Sequence, residues 1–226
     1  LRFGHCRVMR NSRASAIVVA VLSGLLLTAC ATPAGTADAG GADGAGGTAD
    51  RLTLADITPG LPDGEVIAQG TVMDTGDAIE LCLGALLESY PPQCSGIPLT
   101  GWDWTGIDGS EHEGDIQWGA YAVQGTYNGT SFTLTQPPIM LALYDPAMPY
   151  DPTNGEPGPA DEATLTATQD DIHAQLGDAA LASWPQDGRL WVQVVWDDGS
   201  LQDAADARYG DDVVLVQSAL HLVTGA

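Results

Sequence analysis

The densest group of potential metal ligands in the sequence is an acidic stretch from Asp108 to Asp115. Its sequence, DGSEHEGD, places four carboxylates and His112 close together. Calcium binds several oxygen atoms, so a glycine-rich stretch of this kind could supply ligands. The spacing lacks the D-x-[DN]-x-[DN]-G pattern of an EF-hand loop, however, and acidic residues are frequent throughout the chain. We therefore expect a solvated acidic loop, and the alternative is a calcium-dependent hydrolase.

Histidine offers little further chemistry. Three histidines follow residue 30 and fall in different predicted elements, namely His112, His173 and His221. The sequence contains no H-x-x-x-H, H-E-x-x-H or G-x-S-x-G pattern, and it contains no lysine. A triad of Ser, His and Asp remains open, because its members need not be adjacent in sequence. We predict no catalytic, metal-binding or cofactor-binding residue and favour a non-enzymatic protein.

Tryptophan could mark a binding surface for a sugar or an aromatic ligand. Trp102 and Trp104 share one face of a predicted strand, while Trp191 and Trp196 occupy opposite faces of another. The alternative is core packing, because the chain has only two phenylalanines to fill its interior. We expect most of these rings in the core, and at least one of Trp191 and Trp196 at a contact between domains.

The amino-terminal segment has the pattern of an export signal. Basic residues come first, namely Arg2, Arg7, Arg10 and Arg13, and an uncharged, mostly apolar run follows from Ala14 to Ala29. That run is shorter than the ~20 residues that a membrane-spanning helix needs. Met9 is the expected start of translation, because it opens a compact basic head. We assign residues 1–29 to a signal peptide.

The signal ends in Leu27-Thr28-Ala29-Cys30, which resembles the lipobox of bacterial lipoproteins. The resemblance implies that the Cys30 thiol receives diacylglycerol, that the chain is cut before it, and that the new amino group takes a further fatty acid such as palmitate. Two or more acyl chains hold a protein stably on a membrane. The expected location is the extracytoplasmic face of the cell membrane. The alternatives are a plain secretory peptide and an uncleaved anchor.

The chain after the signal is strongly acidic. It holds all thirty acidic residues against three arginines, a formal net charge of −27. Such a field repels phosphate backbones, so we expect no nucleic-acid partner. A cationic ligand, a divalent metal or another protein of the envelope remains compatible with this charge.

Two cysteines lie in the predicted folded part, Cys82 and Cys94. Outside the cytoplasm such a pair typically forms a disulfide. Closing so short a loop stabilises a fold by ~3 kcal/mol on the chain-entropy model. Zinc is the alternative, but no C-x-x-C motif or nearby histidine pair supplies its other ligands.

Composition divides the remainder of the chain. Residues 30–50 form the lipid anchor and a tether that we expect to be disordered, because it is mostly Ala, Gly, Thr and Asp. Twenty such residues span about 25 Å root-mean-square. A Pro/Gly-rich linker at residues 146–160 then separates an all-β part, residues 51–145, from an α/β part, residues 161–226.

The all-β part contains short strand-like runs between turn signals. Its last hairpin turns at Asn128-Gly129, a dipeptide that predicts a type I′ turn. These runs predict a small antiparallel β-barrel or sandwich. Two glycine-containing strands resemble those of an OB-type barrel, namely Gly70-Thr71-Val72 and Gly125-Thr126-Tyr127.

The α/β part predicts a helix-strand-helix-strand unit, which makes the fold class α+β. The first helix is expected to start at Thr168 and to present Ile172, Leu176, Ala179 and Ala180 on one face. A strand from Leu190 to Trp196 follows. A helix capped by Ser200 then runs to Tyr209 and ends at Gly210. A parallel crossover leads to the last strand, Val213 to Val216.

Two blocks of the sequence are similar to segments of uncharacterised lipoproteins of actinobacteria, namely Leu81 to Trp104 and Asp197 to Leu220. The resemblance implies a shared fold and a membrane-tethered location, and it carries no known activity. The sequence therefore favours a non-enzymatic binding or accessory module of the cell envelope. A structural envelope component is the further alternative.

Overall fold

A computed structural model of the chain describes residues 53–146 and 150–223. The predicted signal peptide, Cys30 and the tether to residue 50 lie outside the described residues. Within the described part, no helix has the length and apolar character needed to cross a membrane.

The described strands form two sheets, one of eight strands and one of three. The strands are β1 (Val66–Asp74), β2 (Ile79–Cys82), β3 (Ile97–Thr100), β4 (Ser110–Glu113), β5 (Ile116–Tyr127), β6 (Phe132–Leu134), β7 (Ile139–Met140), β8 (Ala180–Gln186), β9 (Arg189–Val194), β10 (Val214–Ser218) and β11 (Leu220–Leu222).

Five strands of the larger sheet close into a barrel, because β1 pairs along both of its edges. β1 pairs antiparallel with β5 over its whole length, and with β2 from Thr71 to Asp74. A parallel pairing of β3 with β6 completes the ring in the order β1-β2-β3-β6-β5. The structure therefore confirms the α+β class and selects a barrel over a sandwich.

Alternating side chains of β1 and β5 fill the barrel. Val66, Ala68 and Val72 are fully buried, and they pack with Tyr121 and Val123. This alternation is the period-2 pattern of strands with one buried face.

Glycine is required where β5 passes close to β6. A Cβ atom on Gly125 would lie 2.0 Å from the carbonyl oxygen of Thr133. The close approach explains why the strand carries a residue with no side chain at this point.

The hairpin between β5 and β6 is confirmed, but its predicted type I′ turn is wrong. The turn spans four residues, and only Gly129 among them has a positive φ. The Asn128 side chain accepts hydrogen bonds from the backbone N–H groups of Thr130 and Ser131, at 3.0 and 2.8 Å. Asparagine therefore stabilises a wider turn through its carbonyl oxygen.

The smaller sheet has the order β10-β9-β8, with helices α1 (Glu162–Leu176) and α2 (Ser200–Tyr209) packed on it. β9 and β10 are parallel and α2 connects them, so the predicted crossover is confirmed. β8 pairs antiparallel with β9 and was not predicted. The unit is therefore helix-strand-strand-helix-strand.

The predicted start of α1 is wrong. The helix begins at Glu162, and the carboxylate of Asp161 caps it by accepting the backbone N–H of Thr164 at 2.8 Å. Thr168 lies inside the helix and is buried. Ile172 and Leu176 face the core as expected, whereas Ala179 and Ala180 lie beyond the helix end.

The bounds of α2 agree with the prediction, but its cap does not. Both carboxylate oxygens of Asp197 accept backbone N–H groups of the first turn, from Leu201 at 2.9 Å and from Gln202 at 3.2 Å. Ser200 instead hydrogen-bonds to Asp198. Gly210 ends the helix with φ 98°, a conformation that glycine adopts readily.

Two segments join the barrel to the α/β part. Leu54, which precedes the barrel in sequence, is buried against Leu165 and Ile172. At the other end of the chain, β11 pairs with β1 from Val66 to Ala68. All described residues therefore belong to one compact unit.

The predicted disulfide between Cys82 and Cys94 is present, with a Cα–Cα distance of 6.0 Å. Cys82 is buried at the end of β2, where Met73 and Trp118 contact it. The bridge ties the segment between β2 and β3 to the outside of the barrel.

We expect Cys94→Ala to lower the free energy of unfolding by about 3 kcal/mol, because the variant removes a covalent constraint on the unfolded chain. Urea denaturation of both proteins measures the change. The exposed neighbour provides a matched control, and Ser95→Ala should stay within about 0.5 kcal/mol of the parent. Equal stability of the two variants would contradict this role for the bridge.

A polar cluster connects the two helices. The Asp171 carboxylate accepts hydrogen bonds from Arg208 at 2.8 Å, from the Tyr209 hydroxyl at 2.9 Å and from Gln175 at 2.9 Å. The hydrogen bond from Arg208 is the main reason why the pKa of Asp171 lies below its usual value. The ion pair is partly exposed, so its contribution is small.

We expect Asp171→Asn to reduce stability at pH 7 by less than about 1 kcal/mol. Because folding lowers the pKa of Asp171, the stability from its charge is present above the unfolded-state pKa and is lost as pH falls through the folded one. The difference between parent and variant should therefore shrink below about pH 4. Urea denaturation at several pH values measures this difference in stability, with Asp170→Asn at an exposed position as the charge-matched control. A difference that does not change with pH would show that the charge of Asp171 is not its cause.

Candidate functional site

The acidic stretch from Asp108 to Asp115 is half strand and half loop. Its central residues form β4, which pairs antiparallel with the start of β5. Glu111, His112 and Glu113 are exposed, as expected for solvated side chains. Consecutive side chains of a strand point to opposite faces, so Glu111 and Glu113 share one face of β4 and His112 points to the other. Within residues 53–146 and 150–223, no group of three or more His, Cys, Asp or Glu side chains could hold a metal ion.

The three histidines lie in separate elements. His112 is in β4, His173 is in α1 and His221 is in β11. The Nε2 atom of His173 lies 2.8 Å from the Ser183 hydroxyl oxygen, which also accepts a hydrogen bond from Gln169. No carboxylate in the described part hydrogen-bonds to His173, so these residues form no Ser-His-Asp triad.

Trp102 and Trp104 belong to the barrel core. Both follow β3 rather than lying on it, and Trp102 is 8% exposed. Their ring centroids are 5.0 Å apart, and Trp102 also contacts the Tyr121 ring at 5.1 Å. The Trp104 indole donates to Asp74 at 2.9 Å. Trp102 is buried and Trp104 is partly buried, so both rings pack in the barrel core as expected.

Trp196 confirms the expected contact between the two parts of the fold. It follows β9 and packs against the barrel core. Its indole N–H donates to the carbonyl oxygen of Gly60, at 2.8 Å, in the segment that leads into β1.

A cleft of about 290 Å³ lies where the small sheet meets the barrel. It is the candidate functional site. The residues that line it come from both sheets, from α2 and from the segment after residue 149: Gln69, Tyr150, Pro152, Trp191, Gln193, Gln202, Leu215, Val216, Gln217, Ser218, Ala219 and His221.

The alternation of β9 places Trp191 and Gln193 in the cleft. Leu190, Val192 and Val194 are almost fully buried in the core beneath the helices. Because strand side chains alternate between faces, Trp191 and Gln193 project from the opposite face, and both are half-buried.

The neighbouring ring of Trp184 stacks on Trp191. The two residues face each other across β8 and β9, with centroids 6.4 Å apart and planes 4° from parallel. Such cross-strand aromatic pairs stabilise sheets and restrict ring rotation. Trp191 therefore offers the cleft a positioned aromatic surface.

Gln202 has a structural role at the cleft. Its Nε2 donates to the Val214 carbonyl at 2.9 Å, and its Oε1 accepts the Val216 N–H at 2.8 Å. These two peptide groups lie on β10, an edge strand of the small sheet. The amide side chain thus satisfies backbone groups that a further strand would otherwise pair.

Other polar groups in the cleft keep hydrogen-bonding capacity. Within the described residues, the Gln193 amide, the His221 imidazole and the Trp191 indole N–H make no hydrogen bond. Gln217 donates through Nε2 to the carbonyl oxygen of Tyr150 at 3.1 Å, and its Oε1 accepts none in the described part. These groups can therefore receive a ligand without breaking protein hydrogen bonds.

The lining contains no Asp, Glu, Lys or Arg. This absence differs sharply from the rest of an acidic chain with a formal net charge of −23. Two carboxylates adjoin the lining in sequence: that of Asp203 follows Gln202, and that of Asp151, between Tyr150 and Pro152, accepts hydrogen bonds from the backbone N–H and the hydroxyl of Thr153.

Sequence reasoning missed this cleft, although part of its signal is visible. The run LWVQVV in β9 alternates apolar residues with Trp191 and Gln193. The other wall comes from Gln69 in β1 and His221 in β11, which are distant in sequence and meet only through the barrel.

We expect Gln202→Leu to reduce the free energy of unfolding by about 1–3 kcal/mol, because it leaves two peptide groups of β10 unpaired. Gln193→Leu should change it by no more than about 0.5 kcal/mol, because this amide has no partner to lose. Urea denaturation of this matched pair measures both values. Equal losses would show that Gln193, too, serves the fold.

Comparison of the chain with protein-family models, with curated proteins and with solved structures finds no match. The roles of its residues therefore have to be argued from the chemistry of the cleft and of the chain itself.

Proposed function

We propose that this protein is a membrane-anchored binding module of the cell envelope, with its ligand site in the cleft between barrel and small sheet. The observation that carries the proposal is the positioned Trp191 ring beside the unpaired amide of Gln193. Binding sites typically combine an aromatic surface with a few convergent polar groups.

The proposed anchor is diacylglycerol on Cys30, with the protein on the extracytoplasmic face of the membrane. The sequence Leu27-Thr28-Ala29-Cys30 and the preceding apolar run support it. The disulfide between Cys82 and Cys94 is consistent with an oxidising compartment. Membership of the actinobacterial lipoprotein group, proposed from the similar sequence blocks, agrees with this location.

We further propose that the barrel is of the OB type. Five strands, a non-sequential order and closure through β1 and β5 support this assignment. OB barrels carry binding sites on strands β2 and β3 and on adjacent loops. The cleft proposed here lies elsewhere, next to β1 and β11.

Binding rather than catalysis is the favoured activity. The contact between His173 and Ser183 lies on α1 and β8, and neither residue lines the cleft. No observation in the described residues favours a calcium-dependent hydrolase or a purely structural component. The partner proposed for the module is a ligand or another protein of the envelope, and the acidic field argues against nucleic acid.

Metabolic labelling tests the anchor. In cells that produce the full chain and are fed an alkyne-tagged palmitate, the parent should carry label and sediment with membranes, because acylation attaches it there. Cys30→Ser should lose both properties, while Cys94→Ala, which alters a cysteine of the folded domain, should keep them. A labelled Cys30→Ser protein, or an unlabelled parent in the soluble fraction, would contradict the proposed anchor.

A further inference from the structure

The polar groups of the cleft match the hydrogen-bonding character of hydroxyl groups. Four glutamines line it, namely Gln69, Gln193, Gln202 and Gln217. A primary amide carries two donors and one acceptor side by side. A hydroxyl group also donates and accepts. One of two adjacent hydroxyls can therefore donate to the amide oxygen while the other accepts from the amide nitrogen. The free groups of Gln193 and Gln217 are the ones available for such pairing.

The Trp191 ring matches the other surface of a sugar. One face of a pyranose presents C–H groups with slight positive charge, and the face of an indole ring carries negative charge. The two faces therefore attract each other as they exclude water. Stacking on Trp184 holds the Trp191 plane in one orientation for this contact.

The charge distribution selects against ionic ligands. An anion would be repelled by the acidic surface and would find no Lys or Arg in the lining. A cation would be attracted to the protein, but it would meet no carboxylate in the cleft. Removing either ion from water without an opposite charge is costly. The cleft is therefore suited to an uncharged ligand.

The size of the cleft fits a short segment of glycan. Its volume of about 290 Å³ is at the lower end of the range for small-molecule sites. Residues from β1, β9 and β11 contribute to the walls, so a sugar ring on Trp191 would reach groups of both sheets.

We infer that the cleft binds a neutral saccharide, with a sugar ring stacked on Trp191 and its hydroxyls hydrogen-bonded to Gln193 and Gln217. The inference rests on the proposed function, because it names the ligand class of that same site. The expected ligand is thus an uncharged glycan outside the cell, bound by an anchored, acidic domain.

Fluorine NMR of the full chain tests the inference. The protein is labelled with 5-fluorotryptophan and kept in a phosphocholine detergent, because maltoside headgroups are themselves sugars. Trp→Phe variants assign the six tryptophan signals. The probes are maltotriose, cellotriose, mannotriose and chitotriose at about 10 mM, a concentration that detects millimolar affinity. At least one probe should shift the Trp191 signal and leave those of Trp102 and Trp118 unchanged.

Charged sugars separate hydroxyl recognition from charge recognition. The glucosamine trimer has the backbone of chitotriose with amines in place of acetamides, and trigalacturonate is anionic. Both should bind more weakly than the best neutral probe. Tighter binding of the glucosamine trimer would overturn the inference, because the acidic surface would then be the recognition element.

Variants locate the contact. Titration calorimetry, which needs no label at residue 191, measures the affinity of each variant. Trp191→Ala should weaken binding of the best probe about ten-fold or more, and Trp191→Phe should restore part of the loss. Gln193→Leu should also weaken it about ten-fold. Gln186→Leu, in the exposed end of β8, is the matched control and should leave affinity unchanged. Unchanged affinity in Trp191→Ala would overturn the inference.

A second probe class distinguishes failure of the inference from failure of the proposed function. N-acetylated dipeptide amides are uncharged and polar but contain no sugar ring. If they shift the Trp191 signal and no saccharide does, the saccharide inference is overturned while a binding cleft stands. If neither class shifts it, both the inference and the proposed site are overturned.

Discussion

The fold depends on β1 using both of its edges. This strand pairs with β5 along its full length and with β2 and β11 in succession along the other edge. A barrel strand paired on both sides leaves no open hydrogen-bonding edge. β11 directly follows β10 of the small sheet. By pairing with β11, β1 therefore also fixes the small sheet against the barrel. The barrel core, the closure of the barrel and the contact between the two sheets therefore all depend on β1.

The cleft is a consequence of that arrangement. β10 leaves the small sheet, and within one residue the chain enters the barrel as β11. The chain still pairs beside the end of β9 there, because the N–H groups of Ala219 and Leu220 donate to the carbonyl oxygens of Val194 and Val195. Gln202 satisfies the exposed edge of β10, and the capping carboxylate of Asp197 holds α2 beside it. Aromatic and amide side chains then line the remaining space.

Sequence patterns predicted the elements that are determined by residues close together in the chain. The alternation in β1 and β5, the crossover through α2 and the cysteine pair all follow from spacing. The start of α1 was missed because Thr168 and Asp171 imitate a capping box, whereas Asp171 pairs with Arg208 on the other helix. β4 was missed because all four of its residues are charged or polar, so no apolar alternation marks it as a strand. The cleft depends on distant strands meeting, and no window of sequence contains both walls.

The pairing of β11 with β1 also constrains when the domain can mature. Protein synthesis delivers a chain from its amino terminus onward, so Val66 is made long before its partner Leu222. Contacts between residues so far apart in sequence form late and slow folding. The edge of β1 from Val66 to Ala68 therefore stays unpaired until residues 220–222 have been made. A partly made chain thus exposes an unpaired strand edge that favours aggregation, and prompt pairing of β1 with β5 covers its other edge.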